Sequence, residues 1–166
     1  MAFLLENSTE KCRNTLKKIS KMTYNPQFDD EFECSYFMLA SIFVERRKYD
    51  LAREVLRRHC LTDEKLGASK ACEMMGLVCE KEKLFKDAIF YYGRSWEIEK
   101  DLLNLNDDHG ASSVLILIGS KLASCHMSCQ NYIDAMEISD FISNKFPECG
   151  QFKEEIVNRC ISSIRP

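Results

Sequence analysis

Apolar residues along the chain recur at intervals of three and four positions, the spacing that places side chains on one face of an α-helix. Three segments share one order, in which an apolar-faced helix, a short polar turn and a second apolar-faced helix follow each other. The pattern predicts an all-α protein, an α-solenoid of helical hairpins over residues 33–66, 69–100 and 116–147. In the first hairpin the apolar faces consist of Tyr36, Leu39, Ala40 and Phe43, then Tyr49, Ala52, Val55 and Leu56.

Each predicted hairpin has a small residue at a matching place in both of its helices. The pairs are Ala40 with Ala52, Gly76 with Ala88, and Ala123 with Ala135. Small residues allow two helix backbones to approach closely while larger neighbours fill the surrounding space. We therefore predict that these six positions form the packing contacts of tetratricopeptide-type repeats.

The intervals between the second small residues of the hairpins are unequal. From Ala52 to Ala88 the interval is 36 residues, close to the period of about 34 residues of tetratricopeptide hairpins. From Ala88 to Ala135 it is 47 residues. The difference predicts an inserted polar loop at 101–113.

Further helices are predicted at both ends of the hairpin array. Residues 8–22 have the apolar spacing of a lead-in helix, which is followed by a Tyr24-Asn25-Pro26 break. Pro147 stops the third hairpin, and residues 151–164 then form a helix with one apolar face. We expect this helix to cap the array, and the whole chain, 1–166, to be one helical-repeat domain.

Composition and charge exclude several classes of protein. The net charge is −3 and no basic stripe is visible, so nucleic acid is not an expected partner. The longest apolar run, Val114 to Ile118, is far shorter than the roughly 20 residues of a membrane-spanning helix, and the first residues do not resemble a signal peptide. We expect an intracellular chain without direct membrane insertion, with its nine cysteines as free thiols.

One short motif could carry chemistry. Cys125, His126 and Cys129 are spaced so that they could contribute to a metal site or to catalysis, but no second ligand pair follows at a suitable distance. No phosphate-binding loop or nucleophile motif is present in the sequence. We predict no catalytic residue, no metal, no cofactor and no small-molecule substrate, and a metal protein or enzyme built on this motif is the minor alternative.

Binding of a protein is better supported, because stacked hairpins expose their first helices along a concave surface. Positions on those helices outside the apolar faces are both apolar and polar. The predicted protein-binding surface comprises Phe37, Ser41, Lys70, Glu73, Leu77 and Glu80. An equally weighted alternative is that neighbouring helices of the chain fill this groove.

The sequence also resembles a known family in its individual residues. Leu16-Lys17-Lys18-Ile19, Leu39-Ala40-Ser41-Ile42, Lys48-Tyr49-Asp50-Leu51-Ala52, Tyr132-Ile133-Asp134-Ala135 and the closing Ser163-Ile164-Arg165-Pro166 are similar to the C-terminal repeats of the tetratricopeptide repeat protein 21 family. This is the large subunit of intraflagellar transport complex A, which acts with the dynein motor in retrograde ciliary traffic. The resemblance implies a non-catalytic scaffold with other subunits of that complex as partners, located in the cytoplasm and in the cilium, at the axoneme or basal body. The alternative is a general cytoplasmic adaptor that binds a peptide segment in its groove.

Overall fold

The computed structural model describes residues 29–57, 59–61, 65–105 and 109–164, and this part of the chain contains helices and no strand. The predicted all-α class is confirmed. The predicted lead-in helix, 8–22, lies outside the described residues. The described residues form seven α-helices: α1 (Asp29–Glu45), α2 (Tyr49–Leu56), α3 (Lys65–Lys81), α4 (Phe85–Leu105), α5 (His109–Ser128), α6 (Tyr132–Lys145) and α7 (Gly150–Ile164). Short 3-10 helices lie at His59–Leu61 and Pro147–Cys149.

The chain divides into two compact units, residues 1–56 and 57–166. The first unit includes the hairpin of α1 and α2, and the second includes α3 to α7. In a repeat protein each repeat packs mainly on its neighbours, so no single core has to join distant repeats.

The three hairpin turns have the same backbone geometry. Arg47, Lys83 and Gln130 each adopt a positive φ, of 55°, 62° and 61°, two residues beyond the first helix of their hairpins. The amide N–H of the following residue, for example Leu84, donates to a carbonyl five residues earlier, that of Cys79 in this case. This is the Schellman arrangement, which satisfies the last carbonyls of a helix. Three equivalent turns show that the hairpins are structural repeats.

Two glycines allow close helix contacts in the second unit. A Cβ atom on Gly76 would lie only 2.6 Å from Cδ1 of Tyr92, a fully buried ring on α4. A Cβ atom on Gly119 of α5 would overlap with Trp96 and Ile142. All six small residues of the predicted repeat packing are buried as well.

The prediction of an inserted loop at 101–113 is wrong for residues 101–105 and 109–113, which are helical. Helix α4 continues to Leu105 and α5 begins at His109, so the added residues lengthen the two helices of neighbouring hairpins. The physical reason is that Leu103 continues the buried face of α4 that also contains Trp96. The sequence Asn-Leu-Asn-Asp-Asp-His-Gly is polar enough to resemble a loop, but the buried face of α4 reaches Leu103, directly before it.

The last helix covers the end of the array. Ile156 and Cys160 of α7 are buried in one cluster with Ala123 and Met127 of α5. The thiol of Cys160 lies 3.3 Å from the sulfur of Met127. Helix α7 therefore closes the apolar face that the hairpin of α5 and α6 leaves at its outer side.

Candidate functional site

A stripe of residues runs along one side of α3. Its members follow helical spacing and lie on the same face of the helix: Leu66, Lys70, Glu73, Leu77 and Glu80. Helix α4 packs against both α3 and α5 and is joined to each by a short connection, so α3 and α5 run in the same direction. We call the side on which α3 and α5 meet the α3/α5 face.

Glu73 is the central charged group of the α3/α5 face. Its carboxylate lies 2.7 Å from Nζ of Lys70 on the same helix and 3.2 Å from Nζ of Lys121 on α5. Burial works to raise the pKa of Glu73, but the hydrogen bonds and charges of the two lysines outweigh burial and lower it. Glu73 is thus a buried carboxylate that joins the first helices of two successive hairpins.

Lys121 and Tyr92 extend the polar network around Glu73 to helix α4. The ammonium of Lys121 lies 5.7 Å from the centroid of the Tyr92 ring, and the Tyr92 hydroxyl donates a hydrogen bond of 2.8 Å to Glu80. Burial, followed by the bond to Glu80, raises the pKa of Tyr92 well above its ordinary value. Helices α3, α4 and α5 are therefore linked by polar contacts on this face as well as by their apolar core.

Apolar side chains are exposed beside this network. Leu66 on α3 is 67% exposed and Leu117 on α5 is 48% exposed, with Val114 close to it in sequence at 37%. Leu66 precedes Glu73 by two helical turns, and Leu117 precedes Lys121 by one. Because α3 and α5 run in the same direction, these residues lie at the same end of the face. Exposed apolar side chains next to polar groups are typical of protein-binding surfaces.

The structure places the predicted surface residues in different environments. Two of the residues, Phe37 and Ser41, belong to the first unit. Phe37 is half-buried and Ser41 is exposed, and the Ser41 hydroxyl donates to the carbonyl of Phe37. In the second unit Lys70 is exposed, whereas Glu73 is buried in ion pairs, Leu77 packs against the core, and Glu80 accepts from Tyr92. Glu73 is held by Lys121 of α5 and Leu77 packs against the core of the second unit, so the use of these positions to bind a partner stays a prediction.

Cys125 and His126 of the possible metal motif have different surroundings. Cys125 is buried, and burial is the main cause that raises the pKa of its thiol to about 12. Nδ1 of His126 lies 3.2 Å from a carboxylate oxygen of Asp134, and burial lowers the pKa of His126 while Asp134 opposes that shift. Across the described ranges no group of three or more possible metal ligands converges, nor is any helix long and apolar enough to cross a membrane.

Sequence reasoning missed two residues of this region. Lys121 is 48 positions from Glu73, and nothing in a single sequence pairs them. The packing role of Gly119 could have been predicted from the sequence. A glycine inside a strongly helical pattern lowers helix stability by about 1 kcal/mol relative to alanine, so a packing role is expected for it.

Paired antiparallel helices with repeated turns and a capping helix define a helical-repeat protein. Over residues 1–161 the sequence matches the family model described as the tetratricopeptide repeat protein 21 C-terminal ARM domain. The chain belongs to the tetratricopeptide repeat protein 21 family and corresponds to its C-terminal region. The interval of 47 residues between Ala88 and Ala135 also fits the longer period of about 40–47 residues of armadillo-type repeats.

Individual relatives agree with this assignment. Tetratricopeptide repeat proteins 21B and 21A of Mus musculus are each 32% identical to the chain over 165 residues. The tetratricopeptide repeat protein 21 homolog of Caenorhabditis elegans is 24% identical over 167 residues. These alignments cover 98–99% of this chain but only 11–12% of the relatives. The chain thus spans about an eighth of the length of the proteins that it matches.

Proposed function

We propose that the chain is a non-catalytic scaffold for protein–protein interaction that acts within intraflagellar transport complex A, in retrograde ciliary transport and in the localisation of proteins to cilia. Its partners are other subunits of that complex, and its places of action are the cytoplasm and the cilium. Membership of the tetratricopeptide repeat protein 21 family supports this proposal. The observation that carries the binding role is the exposed apolar end of the α3/α5 face.

The proposed contact uses a large helical surface and not a small pocket. Leu66 and Leu117 supply apolar area, while the exposed Lys70 supplies a polar margin next to them. An apolar centre with a polar rim is the usual composition of a specific protein interface. Phe37 and Ser41, in the first unit, are proposed as a separate part of the binding surface.

Affinity purification of the tagged chain from ciliated cells tests the proposal. The double variant Leu66→Glu/Leu117→Glu introduces charges at the exposed apolar positions, where they disturb the fold little. Ile133→Glu is the matched control, because Ile133 is 75% exposed but lies on α6, outside the α3/α5 face. Each purified sample is analysed by quantitative mass spectrometry.

We expect the unaltered chain and the Ile133→Glu control to recover several subunits of intraflagellar transport complex A, and the double variant to lose them. Equal recovery by all three chains would show that the contact does not use the apolar end of the α3/α5 face. Recovery of unrelated cytoplasmic proteins by the unaltered chain would contradict the ciliary role and favour a general adaptor.

A further inference from the structure

Two sulfur atoms from different helices meet inside the second unit. The thiol of Cys160 on α7 donates a hydrogen bond to the thioether sulfur of Met127 on α5, and the two sulfurs are 3.3 Å apart. Cys160 is a free thiol that is 4% exposed, and Met127 is 8% exposed. Since the pair is buried, the binding surface proposed above does not account for it.

The surroundings of the pair favour an ion of charge plus one. The buried cluster that contains both sulfurs is otherwise made of apolar residues, namely Ala123, Ala135 and Ile156. One thiolate neutralises a monovalent ion, whereas a divalent ion would keep a net positive charge among these apolar side chains. Burial of an uncompensated charge is costly. A cation bound between the two sulfurs is therefore expected to be monovalent.

We propose that Cys160 and Met127 form a two-coordinate binding site for Cu(I). Thiolate and thioether sulfurs are the soft ligands that select this ion, and its filled d shell accepts two ligands in a line. A structural zinc site would need four ligands, and over the ranges that the structure describes no three His, Cys, Asp or Glu side chains converge. The proposal thus departs from the prediction that the chain binds no metal.

The two sulfurs have to move apart to admit the ion. A metal–sulfur bond is about 2.3 Å long, so two such bonds in line require sulfurs about 4.6 Å apart. The Met127 side chain supplies this movement, because it is unbranched and has three rotatable bonds. Helix α7 buries Ile156 and Cys160 in the cluster, whereas Glu154 and Glu155 on the same helix are exposed. A local opening of α7 therefore gives the ion a path to the sulfurs.

The binding step releases one proton and transfers no electron. The S–H bond of Cys160 breaks, its proton goes to solvent, and the thiolate forms the first bond to copper. A lone pair of the Met127 sulfur forms the second bond, and the ion remains Cu(I). The bound ion joins α5 to α7, so it should stabilise the attachment of the last helix.

NMR of the chain with ¹³C-labelled methionine methyl groups tests the site directly. The Met127→Leu variant assigns the Met127 methyl signal, because this swap nearly conserves volume and should cost less than about 1.5 kcal/mol. When one equivalent of Cu(I) is added without oxygen, we expect the Met127 methyl signal to shift. The shift should be absent in Cys160→Ser, which lacks the thiolate. If copper binds and the Met127 signal stays in place, the proposal fails.

Competition with bicinchoninate measures the affinity for Cu(I). We expect at least about tenfold weaker binding by both Met127→Leu and Cys160→Ser, since each removes one of the two ligands. Cys129→Ser is the matched control, because Cys129 is a more accessible thiol outside the pair, and it should keep the Met127 shift. Equal affinity in all variants would place the copper on other thiols and overturn the assignment.

Discussion

Gly76 provides the sharpest test of the hairpin packing. In Gly76→Ala the new methyl group would lie 2.6–2.8 Å from three carbons of the Tyr92 ring, nearer than real Cβ contacts allow. The ring cannot move freely, because it is fully buried and its hydroxyl donates to Glu80. Lys121 lies over the same ring. The substitution must therefore shift α3 relative to α4 or break the Tyr92–Glu80 hydrogen bond.

The expected cost follows from three opposing contributions. Overpacking of a close helix contact costs about 1–3 kcal/mol, and a weakened hydrogen bond to Glu80 about 1 kcal/mol more. Alanine regains about 1 kcal/mol through its higher helix propensity. We expect the free energy of unfolding to fall by about 1–3 kcal/mol. Since the slope in urea is about 1–3 kcal/mol per molar, the midpoint should fall by about 1 M.

Urea denaturation followed by the fluorescence of Trp96 measures this cost. Trp96 is the single tryptophan of the chain and is buried in the second unit, so its signal reports the unfolding of that unit. Gly93→Ala is the matched control, because a Cβ atom at Gly93 of α4 would meet nothing within 4 Å. It should raise stability by up to about 1 kcal/mol. Equal stabilisation by both substitutions would refute the close approach at Gly76.

Two further substitutions test the turns and the buried charges. Lys83→Gly should stabilise the protein by about 0.5–1 kcal/mol, because glycine adopts the positive φ of 62° without steric cost. The control Glu97→Gly, on the exposed side of α4, should destabilise it by about 1 kcal/mol. A loss of stability from both substitutions in urea denaturation would contradict the turn geometry. Lys121→Met should cost about 1–3 kcal/mol at neutral pH, since it removes a partner of the buried Glu73. The pKa of Glu73 is lower in the folded than in the unfolded chain, so its contribution is complete above pH 4.5 and is lost as the pH falls further. The variant should therefore lose less stability on acidification than the unaltered chain, and parallel pH profiles would exclude this role of Lys121.

Local patterns in the sequence were sufficient for the features that depend on neighbouring residues. The apolar spacing around Ala88 and Ala135 indicated the helices, and polar clusters such as Arg46-Arg47-Lys48 indicated the turns between them. The left-handed residues in these turns are Arg, Lys and Gln, so a search for glycine would have missed all three. The repeated order of helix, turn and helix indicated where these residues lie, and the residue types did not.

Contacts across long sequence separations could not be predicted in this way. Ser69 donates to Glu99 at 2.5 Å, and the Ser95 hydroxyl donates to the carbonyl of Ser69, all within the buried contact of α3 and α4. Each residue alone looks like an exposed polar position of a helix. Only the register between the two helices brings them together, and that register depends on side-chain packing which periodicity does not describe.

The energies of the α3/α5 face restrict how it can bind a partner. Separating the buried Glu73 from its lysines, for example to pair Lys121 with an acidic partner group, would leave an uncompensated charge at a cost of about 3–5 kcal/mol. Full burial of an exposed leucine instead contributes about 1.5–3 kcal/mol without disturbing the network. Leu66 and Leu117, which are 67% and 48% exposed, can thus supply about 2–3 kcal/mol together, whereas opening the ion pairs would only cost energy. A partner is therefore expected to bind the apolar end of the α3/α5 face first and to leave Glu73 paired with its lysines. For this reason, substitution of the two leucines tests the scaffold function more directly than substitution of Glu73.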